Sequence, residues 1–183
     1  MIYPAETIRL KDGRHVTIRS QEPEDAARMI QYMKIMLGET PFLLRAPEEF
    51  DYTEEEEAAV LTRRRDGDRS LMLAAIAEDG QIVAVCDVNP VRSRLRTMHR
   101  ASLGMSVRRN HWGLGLGSAL MERLIAFAKE AGFEQIELEV VAANRRALNL
   151  YLKYGFQIYG TRPHGMKYPD GSYADDYLMC KPL

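Results

Sequence analysis

The segment RRNHWGLGLGSAL, Arg108 to Leu120, places glycines at 113, 115 and 117 and then turns into strong helix formers. Alternating glycines free the backbone to adopt φ values closed to other residues. The spacing that follows predicts a helix over Gly117–Ala131, with Leu120, Leu124, Phe127 and Ala131 on one stripe and Gly132 as its stop. HRASLGMSV before the glycines reads as a strand. QIELEVV after the helix reads as another, with Ile136, Leu138 and Val140 facing one way and Glu137 and Glu139 the other. A strand–helix–strand unit of this kind predicts a right-handed parallel crossover, and hence an α/β or α+β sheet.

Glycines ahead of a helix also bring main-chain amides close to an anion. The first amides of a helix lack partners within it, and the helix dipole adds positive potential. A phosphate or diphosphate ligand is one reading; a tight strand-to-helix turn without a ligand is the other. A dinucleotide fingerprint would require a third glycine at Ser118 or Leu120, and neither register supplies it. The lysine of a GxxxxGK[ST] phosphate loop is absent as well.

Around this unit the chain alternates predicted strands and helices. TIRLKDGRHVTIRS predicts two strands about Asp12-Gly13. Ala26, Met29, Ile30, Met33 and Leu37 fall at helical spacing, with Gly38 as the expected stop. Thr53 and Glu56 match a capping box, and the four glutamates after Thr53 read as a solvated first turn. SLMLAAIAEDGQIVAVCDVNP predicts an antiparallel pair about Asp79-Gly80. RRALNLYLKYGF predicts a short helix ended by Gly155. A last strand pair is expected about Pro169-Asp170-Gly171.

The run from Leu103 to Gly160 resembles the GCN5-related N-acetyltransferases, the GNAT family, over about a third of the chain. Gly115 and Gly117 fit the glycines of that family's Arg/Gln-x-x-Gly-x-Gly/Ala signature, with Trp112 where Arg or Gln is usual. Val140, Asn144, Ala147, Tyr151, Gly155 and Phe156 fill its V-x-x-x-N-x-x-A-x-x-x-Y-x-x-x-G-F pattern. The resemblance implies one domain over 1–183. It implies a mixed central sheet of about six to seven strands, splayed at its centre and flanked by about four helices. It also implies acetyl-CoA as cosubstrate, with transfer to a primary amine in a ternary complex.

By that resemblance the main chain of Met105 and Val107 pairs with the pantetheine arm, and amides near Val107 polarise the thioester carbonyl. Trp112, Gly113, Gly115, Gly117, Ser118 and Ala119 hold the diphosphate. Asn144 contacts the cofactor, although as a residue just before a helix it serves equally as a plain N-cap. Tyr151 protonates the departing thiolate, although on spacing alone it is a core aromatic. The strand before the glycines lacks the glutamate that several family members carry there. His99, Asp87 and Glu139 are the candidate bases. The acceptor site is expected in the irregular segments after the first helix and near the C-terminus, whose Glu39, Glu48, Glu49, Asp51, His164, Asp175 and Asp176 would welcome a cationic amine.

Other function classes find little support. A net charge of −1 over 183 residues makes no electrostatic case for nucleic acid or an anionic membrane. No apolar run approaches the roughly 20 residues that span a bilayer. The N-terminus lacks the basic and apolar regions of a signal peptide, so a cytoplasmic location is expected. Cys86 and Cys180 sit in apolar runs without metal-ligand spacing, and read as buried thiols. No metal is expected, and a homodimer is open. A catalytically weak, acyl-CoA-binding sensor of the same fold stands as the alternative function.

Overall fold

The computed structural model describes residues 2–92 and 94–183. Eight strands form one open sheet: β1 (Glu6–Arg9), β2 (His15–Ser20), β3 (Leu71–Ala77), β4 (Ile82–Pro90), β5 (Arg100–Val107), β6 (Gln135–Val141), β7 (Gln157–Lys167) and β8 (Tyr173–Pro182). The four α-helices are α1 (Ala26–Glu39), α2 (Glu54–Arg65), α3 (Leu116–Glu130) and α4 (Arg145–Lys153). The strand order is β1-β2-β3-β4-β5-β6-β8-β7. The sheet is thus slightly larger than the resemblance implied, because the N-terminal hairpin contributes both of its strands.

The chain divides into two compact units, Met1–Asn89 with Gly104–Leu124, and Pro90–Leu103 with Ile125–Leu183. In the first unit β1 to β4 are antiparallel neighbours, with Gly13 and Gly80 at left-handed φ in the two hairpin turns. The interior strands β3 and β4 are buried along Leu71–Ala75 and Ile82–Cys86, which explains their unbroken apolar runs. Helices α1 and α2 cover them through Met29, Tyr32, Met36 and Leu61.

Helix α1 does not stop at Gly38. It continues to Glu39 and ends at Thr40, whose extended φ of −150° and ψ of 139° suit a residue preceding Pro41. In α2 the capping box is present: Thr53 Oγ1 accepts from the Glu56 amide at 3.2 Å, and Glu56 returns a bond to the Thr53 amide at 2.9 Å. Of its four glutamates three are solvated, but Glu57 is 4% exposed. Asp25 is 2% exposed and is held by both guanidinium nitrogens of Arg19 at 2.7 Å, which ties β2 to the start of α1.

In the second unit the parallel pairing of β5 with β6 joins Arg100–Ser102 to Gln135–Glu137. Antiparallel β8 follows β6, and β7 lies on the edge with bulges near Tyr159 and His164. Ile136, Leu138 and Val140 of β6 are buried as their alternation predicts, and Glu137 is bound by Arg100. Helix α4 buries Leu148 and Tyr151, and Gly155 at φ 83° turns the chain into β7. Cys86 is buried, whereas Cys180 is only partly so.

Candidate active site

Strand β5 runs into the glycine-rich loop that opens α3. Gly113 and Gly115 adopt φ of 76° and 92°, values that a Cβ would strain. Nothing lies within 4 Å of a Cβ placed on Gly113. Gly117 falls inside the first turn of α3 and does not share that left-handed φ. A helix opening at Leu116 leaves its leading amides without intrahelical partners. Ala119 donates to the Gly115 carbonyl at 3.0 Å, so its N–H is withdrawn from the set expected for a diphosphate. Ser118 is half-buried in the same turn.

The loop is braced from three sides. Glu39, at the end of α1, receives the Arg108 guanidinium at 2.9 Å and the Arg109 amide at 2.7 Å. Arg14 bonds the Asn110 carbonyl at 2.8 Å and the His111 ring at 3.1 Å, and burial pushes that ring's pKa down, towards the neutral form. The Lys11 amide donates to the Leu114 carbonyl at 3.1 Å, which lays its side chain against Gly115. Trp112, in the place of the usual Arg or Gln, donates its indole N–H to the Val107 carbonyl at 2.6 Å. Its side chain therefore fastens the loop to β5. The fit to a diphosphate rests on the cradle of glycines, the leading amides of α3 and the Lys11 ammonium.

Within the same unit a cavity of about 530 Å³ opens beside β5. Its floor is Val85 and Asp87 of β4 with Gly104, Met105 and Ser106 of β5. Met29 and Met33 of α1 form one wall, and Glu57, Val60 and Arg64 of α2 form another. Leu43, Arg45, Phe50 and Tyr52 come from the segment after α1, as expected for an acceptor site. The Tyr32 hydroxyl, within 2.9 Å of the Ser106 carbonyl and 2.8 Å of its Oγ, fixes β5 against α1. Burial holds that phenol far above its usual range, so it stays protonated.

Asp87 is the acid of this floor. Burial raises its pKa above the ordinary aspartate value, against the opposing pull of Arg64 and of the Asn89 amide that bonds it. Gly104 is what makes room for it: a Cβ there would stand 2.9 Å from Asp87 Oδ1. Of the other candidate bases, Glu139 is bound by both nitrogens of Arg162 at 2.6 and 2.7 Å, and His99 lies in the turn before β5.

The acids expected to receive a cationic amine do not line the cavity. Glu39 is used by the loop, Glu49 Oε2 accepts the Ala46 amide at 2.8 Å, and Glu48 and Asp51 are exposed. Asp175 accepts the His164 amide at 2.9 Å, the His164 ring stacks on Tyr173, and Asp176 is buried near Arg162. The cavity's charged residues are instead Arg45, Glu57, Arg63, Arg64 and Asp87. Glu57, Val60 and Arg64 stand at i, i+3 and i+7, a shared helix face that the sequence carries but that a run of glutamates conceals. Burial raises the Glu57 carboxyl pKa against the pull of Arg64 and Arg45.

Two residues of the second unit complete the predicted set. Asn144 is the N-cap of α4, its Oδ1 accepting from the Ala147 amide at 3.2 Å, a bond that does not use its NH₂ group. Tyr151 is 7% exposed and packs on Phe156 with ring centroids 5.8 Å apart.

Comparison with known proteins agrees with this geometry. The family model described as Acetyltransferase (GNAT) family matches residues 36–156. An L-amino acid N-acetyltransferase of Escherichia coli is 36% identical over 106 residues, which are 56% of this chain and 63% of that protein, less than two thirds of its length. A solved GNAT-family acetyltransferase from Streptococcus pneumoniae superposes with a TM-score of 0.85 at 30% identity, covering 92% of this chain and 99% of that one. An acetyltransferase from Salmonella typhimurium, solved with its cofactor acetyl-CoA, shares the fold at a TM-score of 0.79 and 20% identity over 92% and 94% of the two chains. With the glycine cradle, the β5 floor and the Asn144–Tyr151 pattern in place, the chain belongs to the GNAT acetyltransferase family.

Proposed function

We propose that the protein is an acetyl-CoA-dependent N-acetyltransferase that moves an acetyl group to a primary amine by direct transfer. The observation that carries this reading is Asp87, a carboxylate on the floor of a cavity that also exposes the strand leading into the glycine cradle. The bound coenzyme supplies an acyl group activated as a thioester. Gly113, Gly115, Gly117 and the leading amides of α3 hold its diphosphate, and the main chain of Met105 and Val107 aligns its arm. Asn144 adds a side-chain contact.

An amine arrives as an ammonium, with a pKa of about 10 if lysine-like. Asp87 takes one of its protons, and the raised pKa of that carboxyl narrows the gap the proton must cross. An N–C bond then forms and the C–S bond breaks. Of the two protons lost from nitrogen overall, one replaces the proton that Tyr151 gives to sulfur, and the other reaches solvent.

The alternative, a weakly catalytic sensor, drew on the missing acid of β5. Asp87 on the adjacent β4 offers that acid from another strand, which favours the enzyme. The test is release of CoA thiol with a panel of amines. Tyr151→Phe should lower kcat about 10²-fold, the lower range for a positioned acid, while acetyl-CoA affinity by calorimetry stays close to wild type. Unchanged turnover would remove Tyr151 from the mechanism.

A further inference from the structure

The charges of the acceptor cavity are out of balance for a purely cationic substrate. Three arginines, Arg45, Arg63 and Arg64, face two acids, Glu57 and Asp87. A polyamine would therefore enter a site of net positive charge. Among the described residues none of the three arginines is in an ion pair within 4 Å. Arg45 is half-buried, and its guanidinium is kept in place by aromatic rings rather than by a carboxylate. It lies 5.4 Å from the Phe50 centroid and 5.0 Å from that of Tyr52, and bonds the Tyr52 hydroxyl at 3.3 Å. Arg64, an exposed residue, bonds the Met72 sulfur at 3.7 Å. The ring-held Arg45 guanidinium loses little freedom when it binds a planar carboxylate through two nitrogens. The rest of the wall is apolar and flexible, with Met29, Met33 and Met72 at its centre.

We propose that the acceptor is a free amino acid: Arg45 and Arg64 receive its carboxylate, Asp87 faces its ammonium, and the methionine wall takes an apolar side chain. This rests on the acetyltransferase reading given above. The three groups of the ligand call on three chemistries that the cavity offers together, and its volume of about 530 Å³ exceeds what a ligand of that size needs. Selection works by exclusion as well as attraction. An amine lacking the anion would forgo the charge-assisted bonds that the two guanidinium groups offer.

The experiment compares kcat/KM of the full chain for L-methionine and L-leucine, their amides, the corresponding decarboxylated amines, and spermidine. The amino acids should exceed their amides and decarboxylated amines by about 10²-fold or more, the expectation for a site built around a group that the analogue lacks. Arg45→Ala and Arg64→Ala should each lower kcat/KM for the amino acids about tenfold or more and narrow that preference, with Arg45→Lys recovering part of it. A melting temperature within a few degrees of wild type shows that each variant is folded. Efficient turnover of spermidine or of the decarboxylated amines, with amino acids poor, overturns the amino-acid assignment and leaves the acetyltransferase reading standing. Equal use of acid and amide, or a preference unmoved in both arginine variants, overturns the assignment too. Absence of turnover across the whole panel, with acetyl-CoA bound, overturns both readings.

Discussion

Asp87 and Gly104 depend on each other across neighbouring strands. The carboxylate can lie over β5 only because residue 104 has no side chain. Gly104→Ala should displace it by a fraction of an ångström and lower kcat by about 10-fold to 10²-fold, with a smaller effect on acetyl-CoA affinity; steady-state kinetics and calorimetry separate the two. Asp87→Asn should lower kcat by about 10²-fold to 10⁴-fold. As the proposed base, Asp87 acts as the carboxylate, so kcat/KM should fall as pH is lowered through a pKa above that of ordinary aspartate. The stability consequence has the opposite sign. A carboxyl whose pKa rises on folding stabilises the fold below its unfolded pKa and loses that contribution as pH increases. At neutral pH Asp87→Asn should therefore melt at the wild-type temperature or slightly above it, which differential scanning calorimetry reads. A residue kept for folding would behave the other way. The sequence brought Asp87 forward as one of three acids or bases and could not choose, because the choice depends on which strand lies beside β5 and what residue 104 leaves open.

At the scale of elements, local chemistry was legible and long-range burial was not. The Thr53 capping box acts over three residues, and it formed as its spacing predicts. Thr53→Ala should cost about 1 kcal/mol, or about 2–4 °C in melting temperature for a chain of this size, with little change in acetyl-CoA affinity. The end of α1 was misplaced because Pro41 restricts Thr40 more strongly than Gly38 weakens the helix. Helix α2 hid its cavity-facing side. Glu54, Glu55 and Glu56 meet solvent while Glu57 turns inward, a difference set by the position of α2 over β3 rather than by composition. The acids of the two loops gave the reverse lesson. Their composition suggested a cation site, yet Glu39, Glu49 and Asp175 spend their oxygens on nearby main chain or on loop arginines.

For the whole molecule, the order of strands and helices could be followed from residue patterns, and the family resemblance supplied the arrangement of the sheet. The second unit's β5–β6 parallel pair is the crossover expected from His99 to Val141. Arginine placement was not readable in the same way, since a net charge of −1 averages over a chain whose cavity carries more positive groups than negative. Ligand linkage gives a test at this scale. Acetyl-CoA at a hundred times its dissociation constant should stabilise the protein by about 2.7 kcal/mol, raising the melting temperature by about 5–10 °C, whereas NAD should leave it unchanged.

Trp112, whose indole is tied to the Val107 carbonyl, is the single tryptophan of the chain. The protein thus carries one indole fluorophore, at the junction between its glycine loop and the strand beneath it, and excitation at the red edge of the absorption band selects it over the tyrosines. Any molecule that reorganises this junction should register as a shift or quench in emission, so occupancy can be followed by stopped-flow optics without a label.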